Sequence, residues 1–197
     1  MFSFLKKSRV SPKPLPDLPA DAPASESPRM RKVLNVGGNS KEIQIPEAFG
    51  GWQHVMLDID PAVRPDVVCD ARNLATLKGS EYDAVYCSHN LEHYFHHDVS
   101  RVLAGFLHVL KDDGFAYIRV PDMAELMRTV VRDGRDIEDV LYQSPAGPIA
   151  VIDVIYGLRT EIARSGDDFS AHTTGSTRKP LAAALRLAGF QFVFSRT

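Results

Sequence analysis

From residue 32 onward, short apolar runs alternate with longer stretches of helical spacing. Lys32–Val36, His54–Leu57, Asp66–Cys69, Tyr82–Ser88 and Gly114–Val120 each read as a buried strand, because each is short, apolar and bounded by polar or turn residues. Between the last two, apolar residues recur at 99, 102, 103, 106, 107 and 110, the spacing of one helix face over Val99–Leu110. Lys111-Asp112-Asp113-Gly114 stops that helix. Met123–Arg132 is a second helix, with Asp122 as its N-cap. Ile149–Ile162 reads as a third despite Gly157, and Pro180–Ala188 as a fourth, closed by Gly189. A final strand covers Phe190–Phe194. Strands alternating with helices predict an α/β fold: a doubly wound, mostly parallel, Rossmann-like sheet with helices on both faces. Ser40–Gly51 is short and holds Pro46, Gly50 and Gly51, so the first crossover is expected to be brief or distorted.

Composition adjusts this picture at one end. Residues 10–28 contain prolines at 12, 14, 16, 19, 23 and 28 among Ser, Ala and Asp, which predicts a flexible tail over 1–29 and a folded domain over 30–197. The chain of 197 residues carries a net charge of −2. Residues 1–32 hold seven Lys/Arg against three Asp/Glu, leaving −6 for the rest, and an acidic body is a poor binder of nucleic-acid backbones. No apolar run reaches the roughly 18 residues of a membrane span, so no stable membrane insertion is expected. Met1–Arg9 lacks the apolar core of a signal peptide. Cys69 and Cys87 have no CxxC spacing and read as buried free thiols, which points to a reducing, cytoplasmic location.

The chemistry collects at the strand ends, where open α/β sheets bind ligands. The first strand ends in Asn35, Gly37, Gly38 and Asn39, the second in Asp58 and Asp60, the third in Asp70, Ala71 and Arg72, and the fourth in Ser88, His89 and Asn90. Pro121 and Asp122 follow the fifth. Gly37 and Gly38 let a ligand approach the backbone. A carboxylate about twenty residues later sits where ribose hydroxyls are bound, a role assigned to Asp58, and Asp70 can accept from an adenine amino group. The glycine turn matches neither GxGxxG nor GxxxxGK[ST], which disfavours a phosphate cradle and favours an adenosine ligand without phosphates, S-adenosylmethionine.

These segments resemble the class I S-adenosylmethionine-dependent methyltransferases, of the small bacterial methyltransferase-domain type. Leu34-Asn35-Val36-Gly37-Gly38-Asn39 is similar to the family's first motif, with Asn39 in place of its second glycine. Gly51–Asp58 resembles the family's approach to the second-strand acid, and Tyr82–His93 resembles the fourth strand with its Leu-Glu-His element. Val109–Gly114, Arg119–Asp122 and Leu185–Phe190 resemble later landmarks. The resemblance covers about 33–122 closely and 172–194 loosely. It implies binding of S-adenosylmethionine through Asn35, Gly37, Gly38, Asn39, Asp58, Ile59, Asp70, Ala71 and Ser88. It implies methyl transfer to a small-molecule acceptor, a sugar or other biosynthetic intermediate, with 123–177 as a helical insert or lid. The family sheet has seven strands with an antiparallel last one, whereas one strand is expected here after Gly189. Either that strand is missing or an earlier segment completes the sheet.

His89 follows the fourth strand and is the first candidate base; His172 is the second. His89 and His93 would share a helix face, but the third ligand is unspecified and no metal is expected. Arg128, Arg132 and Arg135 read as a solvated helix face, with binding of an anionic substrate as the alternative. Two readings compete with an active enzyme: a non-catalytic methyltransferase-like partner subunit, and a nucleotide-dependent oxidoreductase, which the absent GxGxxG opposes. Oligomeric state is not legible.

Overall fold

The computed structural model describes residues 5–6, 29–145, 147–166 and 168–195. Its centre is a seven-stranded sheet. In chain order the strands are β1 (Leu5–Lys6), β2 (Lys32–Val36), β3 (Gln53–Asp58), β4 (Val67–Val68), β5 (Tyr82–Ser88), β6 (Leu110–Arg119) and, after a separate hairpin, β9 (Phe192–Val193). Their spatial order is β4-β3-β2-β5-β6-β1-β9. The β2–β3, β2–β5, β3–β4 and β5–β6 pairs are parallel, while β1 runs antiparallel to both β6 and β9.

The alternation of side chains across β2 and β5 divides the core. Leu34, Val36, Val85 and Cys87 face one layer, with Phe106 of helix α1 (His96–Val109) and Leu181 and Leu185 of helix α5 (Arg178–Leu187). Val33, Ala84 and Tyr86 face the other, under Phe49, Trp52, Phe115 and Tyr117. Phe49 belongs to a single 3₁₀ turn, Glu47–Phe49, so the first crossover is indeed brief. At the opposite end of the sheet from the glycine turn, Asp83 accepts from the Lys32 amide at 2.8 Å and from Lys111 Nζ at 2.8 Å, tying β2, β5 and β6 together.

Three expectations change. The antiparallel place between β6 and the last strand is filled by Leu5–Lys6, from the segment read as a flexible tail; the rest of that segment through Pro28 lies outside the described residues. The helix expected over Ile149–Ile162 is instead the second strand of a hairpin, β7 (Val140–Ser144) and β8 (Gly147–Ala150), followed by helices α3 (Val151–Tyr156) and α4 (Arg159–Ser165). An apolar run such as Ile149–Ile155 fits either period, and Gly157, at φ +95°, ends α3 where a continuous helix was drawn. The 123–177 insert is therefore mixed: α2 (Met123–Asp133), the hairpin, α3 and α4. Among the described residues no helix is long and apolar enough to cross a membrane.

Candidate active site

The glycine turn is tightly enclosed. Gly37 sits at φ +69°, and a Cβ there would lie 2.2 Å from Asn90 Nδ2. A Cβ on Gly38 would lie 2.6 Å from Asn35 Nδ2 and 2.7 Å from Met56 Cγ, so a side chain at either position would displace its neighbours. Asn39 takes the left-handed conformation, φ +55°, which Asn tolerates well, and its side chain is exposed. Its amide donates to Asp58 Oδ2 at 3.1 Å, and the Asp60 amide donates to Oδ1 at 3.0 Å. Asp58 thus fastens the turn to the end of β3 while remaining partly open to solvent.

Asp70 is held firmly. It caps the 3₁₀ segment Ala71–Thr76 through the Arg72 amide and takes the Arg72 guanidinium at 2.8 and 2.6 Å. Burial would raise its carboxyl, but the Arg72 hydrogen bonds outweigh burial and hold it below the usual carboxylate range. Ile59, Asp70, Arg72, Asn90, Tyr94 and Phe95 line a cavity of about 220 Å³ at this edge. Of the residues predicted to hold the cofactor, Ile59 and Asp70 line this cavity, whereas Asn35, Gly37, Gly38, Asn39, Asp58, Ala71 and Ser88 do not; Ala71 and Asn35 are buried.

A second cavity, about 470 Å³, opens on the other side of the turn after β5. His89 and His172 both line it, with Asp122 and Glu125 of α2 and apolar walls from Leu126, Leu141, Ile149 and Val154. The two cavities share a wall. His89 faces the larger one, and Asn90 and His93 the smaller; His172 faces the larger, and Ala171 and Thr173 the smaller.

That wall is cross-braced. The Glu92 carbonyl accepts the Thr173 and Thr174 amides, the Thr173 hydroxyl donates to the His93 carbonyl, and His93 Nδ1 lies 3.0 Å from the Ala171 carbonyl. Gly157 makes room for the strip: a Cβ there would lie 2.2 Å from the Ser170 carbonyl oxygen. His172 Nδ1 lies 3.0 Å from the Val154 carbonyl, which can only accept, so the ring carries its proton on Nδ1 and leaves Nε2 as a lone-pair acceptor. Burial lowers the His172 pKa below the ordinary histidine value and outweighs the nearby Glu92 carboxylate, so the ring stays neutral. His89 stands at φ +49°, with Nδ1 3.4 Å from Glu92 Oε1. The Glu92 carboxylate is buried, and neither oxygen has a hydrogen-bond partner among the described residues.

The three arginines proposed for an anionic acceptor do not line either cavity. Arg128 is bound to Glu125, Arg132 to Asp133, and Arg135 to the Val140 carbonyl. Sequence reasoning missed Leu141, Tyr142 and Ile149 as lining residues, because the hairpin carrying them was not expected. It also passed over Leu126, whose place facing the cavity follows from the phase of α2 alone.

The residues fit a nucleoside-bearing cofactor. Gly37 and Gly38 are crowded by neighbouring side chains, a partly open carboxylate stands beside them, and Asn90 of the cavity lining carries one unsatisfied polar atom. That atom is the Asn90 side-chain oxygen, buried without a hydrogen-bond partner among the described residues, which a bound donor would satisfy. Residues 34–118 match the family model described as a methyltransferase domain. No curated protein matches the chain in sequence. A S-adenosylmethionine-dependent methyltransferase from Archaeoglobus fulgidus aligns at TM-score 0.51 with 19% identity, over 83% of this chain and 62% of that one. The 1,6-didemethyltoxoflavin-N1-methyltransferase of Burkholderia thailandensis, solved with 1,6-didemethyltoxoflavin and S-adenosylhomocysteine, aligns at TM-score 0.45 with 18% identity, over 81% and 60%. The chain spans less than two thirds of the length of either structure, and at these identities the first likeness speaks for the fold. Residues 34–118 are thus similar to a methyltransferase domain, and they span the parallel strands β3, β4 and β5 and most of β2 and β6, with the glycine turn and its β3 carboxylate at their edge.

Proposed function

We propose that this protein transfers a methyl group from S-adenosylmethionine to a small molecule held in the larger cavity, in the cytoplasm, where its free thiols stay reduced. The observation that carries this reading is the shared wall: the cavity beside the glycine turn and the cavity holding two imidazoles meet at residues 89–93 and 171–173. When bound, the cofactor supplies a sulfonium methyl already activated for transfer. The cofactor lies along the turn Gly37–Asn39, Asp58 accepts ribose hydroxyl protons, and Ile59 and Asp70 flank the base.

The chain's own task is then to orient the acceptor and take its proton. Positioning alone can supply about 7–11 kcal/mol of barrier lowering. His172, neutral and with Nε2 free, is suited to accept a proton from a hydroxyl or amine, and His89 is the second candidate on the same cavity. The competing reading, a non-catalytic partner subunit, rests on Asn39 and on the single strand after Gly189; Asn39 adopts the turn conformation with its side chain exposed.

Calorimetry tests the proposal. S-adenosylhomocysteine is expected to bind, and Asp58→Ala to weaken it more than about tenfold through loss of charge-assisted bonds. Absence of binding to the wild-type chain, or equal affinity in the variant, refutes the assignment.

A further inference from the structure

The larger cavity lies where two helices begin, α2 at Asp122 and α3 at Ala150. Helix N-termini offer unpaired amides and a positive field, the usual means of holding a phosphate or carboxylate. Here the protein's own carboxylates already occupy both. Asp122 Oδ1 accepts the Ala124 amide at 3.0 Å and the Glu125 amide at 3.3 Å. Asp153 Oδ2 accepts the Ala150 amide at 2.9 Å, and its Oδ1 takes Arg159 Nε at 2.9 Å. Of the other leading amides, Met123 donates to the Ser176 carbonyl, Val151 to that of Asp139 and Ile152 to that of Ile137, so these too are engaged within the protein.

What remains facing the cavity has the opposite character. Among the described residues no Lys or Arg lines it, whereas Asp122, Glu125 and Asp153 do. Asp153 is neutralised by Arg159 and Glu125 by Arg128. Among the described residues Asp122 pairs with no cation, and its Oδ2 takes no hydrogen bond. The remaining walls are largely aliphatic, with the Tyr142 ring among them. An anion entering this space would lose hydration and meet a like charge. An ammonium group would meet the Asp122 carboxylate and an aromatic face.

We infer that the acceptor is a neutral or cationic molecule with an apolar body, an alcohol or amine, and that phosphorylated and carboxylated metabolites are excluded by the capped helix ends and the free edge of Asp122. This rests on the larger cavity being the acceptor site.

The test uses four probes that share a phenethyl body: 2-phenylethylamine, 2-phenylethanol, 3-phenylpropanoate and 2-phenylethyl phosphate. Each is titrated into the full chain with S-adenosylhomocysteine present, and binding is read by ligand-observed NMR. The amine and the alcohol are expected to bind, with the amine at least about tenfold tighter than either anion. Asp122→Asn keeps a good N-cap while removing the charge, and is expected to bring the amine-to-carboxylate ratio toward unity. Either anion binding within about threefold of the amine overturns the inference, as does failure of all four to bind a chain that holds S-adenosylhomocysteine. If S-adenosylhomocysteine fails to bind while the amine-over-anion order persists and collapses in Asp122→Asn, the methyltransferase proposal falls and the cavity's selectivity stands.

Discussion

His172 Nδ1 lies 3.0 Å from the carbonyl oxygen of Val154, and this contact decides which nitrogen of the ring is free. The carbonyl belongs to α3 of the insert, so the insert fixes the tautomer of a residue that lies in the loop before α5.

The consequence for activity has a direction in pH. Burial depresses the His172 pKa, so the ring is in its basic form at neutral pH and the acid limb of kcat should fall below the ordinary histidine range. The same depression is linked to stability: its contribution is fully present above the unfolded histidine value and is lost as pH falls through the lower, folded value. His172→Gln should reduce kcat by about 10²–10⁴-fold with little change in S-adenosylhomocysteine affinity. A variant that retains full turnover removes His172 from the base role and leaves it to His89.

Gly157 sets the path of the His172 strip. At φ +95°, with a notional Cβ 2.2 Å from the Ser170 carbonyl, alanine is barred by both conformation and contact. Gly157→Ala should push residues 170–172 away from α3, break the His172–Val154 hydrogen bond and cost about 1–3 kcal/mol in urea unfolding. An unchanged unfolding midpoint together with unchanged kcat would show that the strip tolerates the displacement.

Much of the sheet was legible because each strand obeys one simple rule. Lys32–Val36 and Tyr82–Ser88 match their predicted bounds residue for residue, since a fully buried parallel strand is a continuous apolar run between polar stops. The glycine turn was legible for the same reason in reverse: only residues without side chains, or tolerant of positive φ, fit at 37–39. The acceptor side was not, because its walls come from a hairpin whose apolar residues at 140, 142 and 149 carry no signal separating strand from helix. The pairing of Leu5–Lys6 with β6 was also hidden. Its register is set by partners more than a hundred residues away, which local composition cannot report.

Asp83 offers a test of the sheet's other end. Burial would raise its carboxyl, but Lys111, the Lys32 amide and Arg29 together hold it below the usual range. A depressed carboxylate stabilises the fold above the unfolded value, near pH 3.9, and that contribution disappears as pH falls through the folded value. Asp83→Asn keeps an acceptor for the Lys32 amide but leaves Lys111 without its charged partner there, at a cost of about 2 kcal/mol near neutral pH. The difference between wild type and variant should shrink as pH drops below 4. A difference constant with pH would mean that packing, not ionisation, sets the effect.

The last prediction concerns β1. Leu5 pairs with Ala116 on one side and Val193 on the other, and Lys6 with Phe115 and Phe192. The two residues of β9 reach the rest of the sheet only through this segment, so its loss should unfasten β9 as well as bare the edge of β6. Deleting residues 1–9 is therefore expected to raise amide exchange at 192–193 and along 115–116, and to lower stability by about 1–3 kcal/mol, the worth of a few exposed backbone hydrogen bonds. The same interactions should form in trans. A synthetic peptide of residues 1–9 added to the shortened chain should restore protection at those amides by strand addition, with Phe115 and Ala116 responding together with Phe192 and Val193. If deletion leaves exchange at both pairs of residues unchanged, the segment does not occupy the antiparallel place, and β9 must be held by the packing of Phe190 and Val193 against the main core.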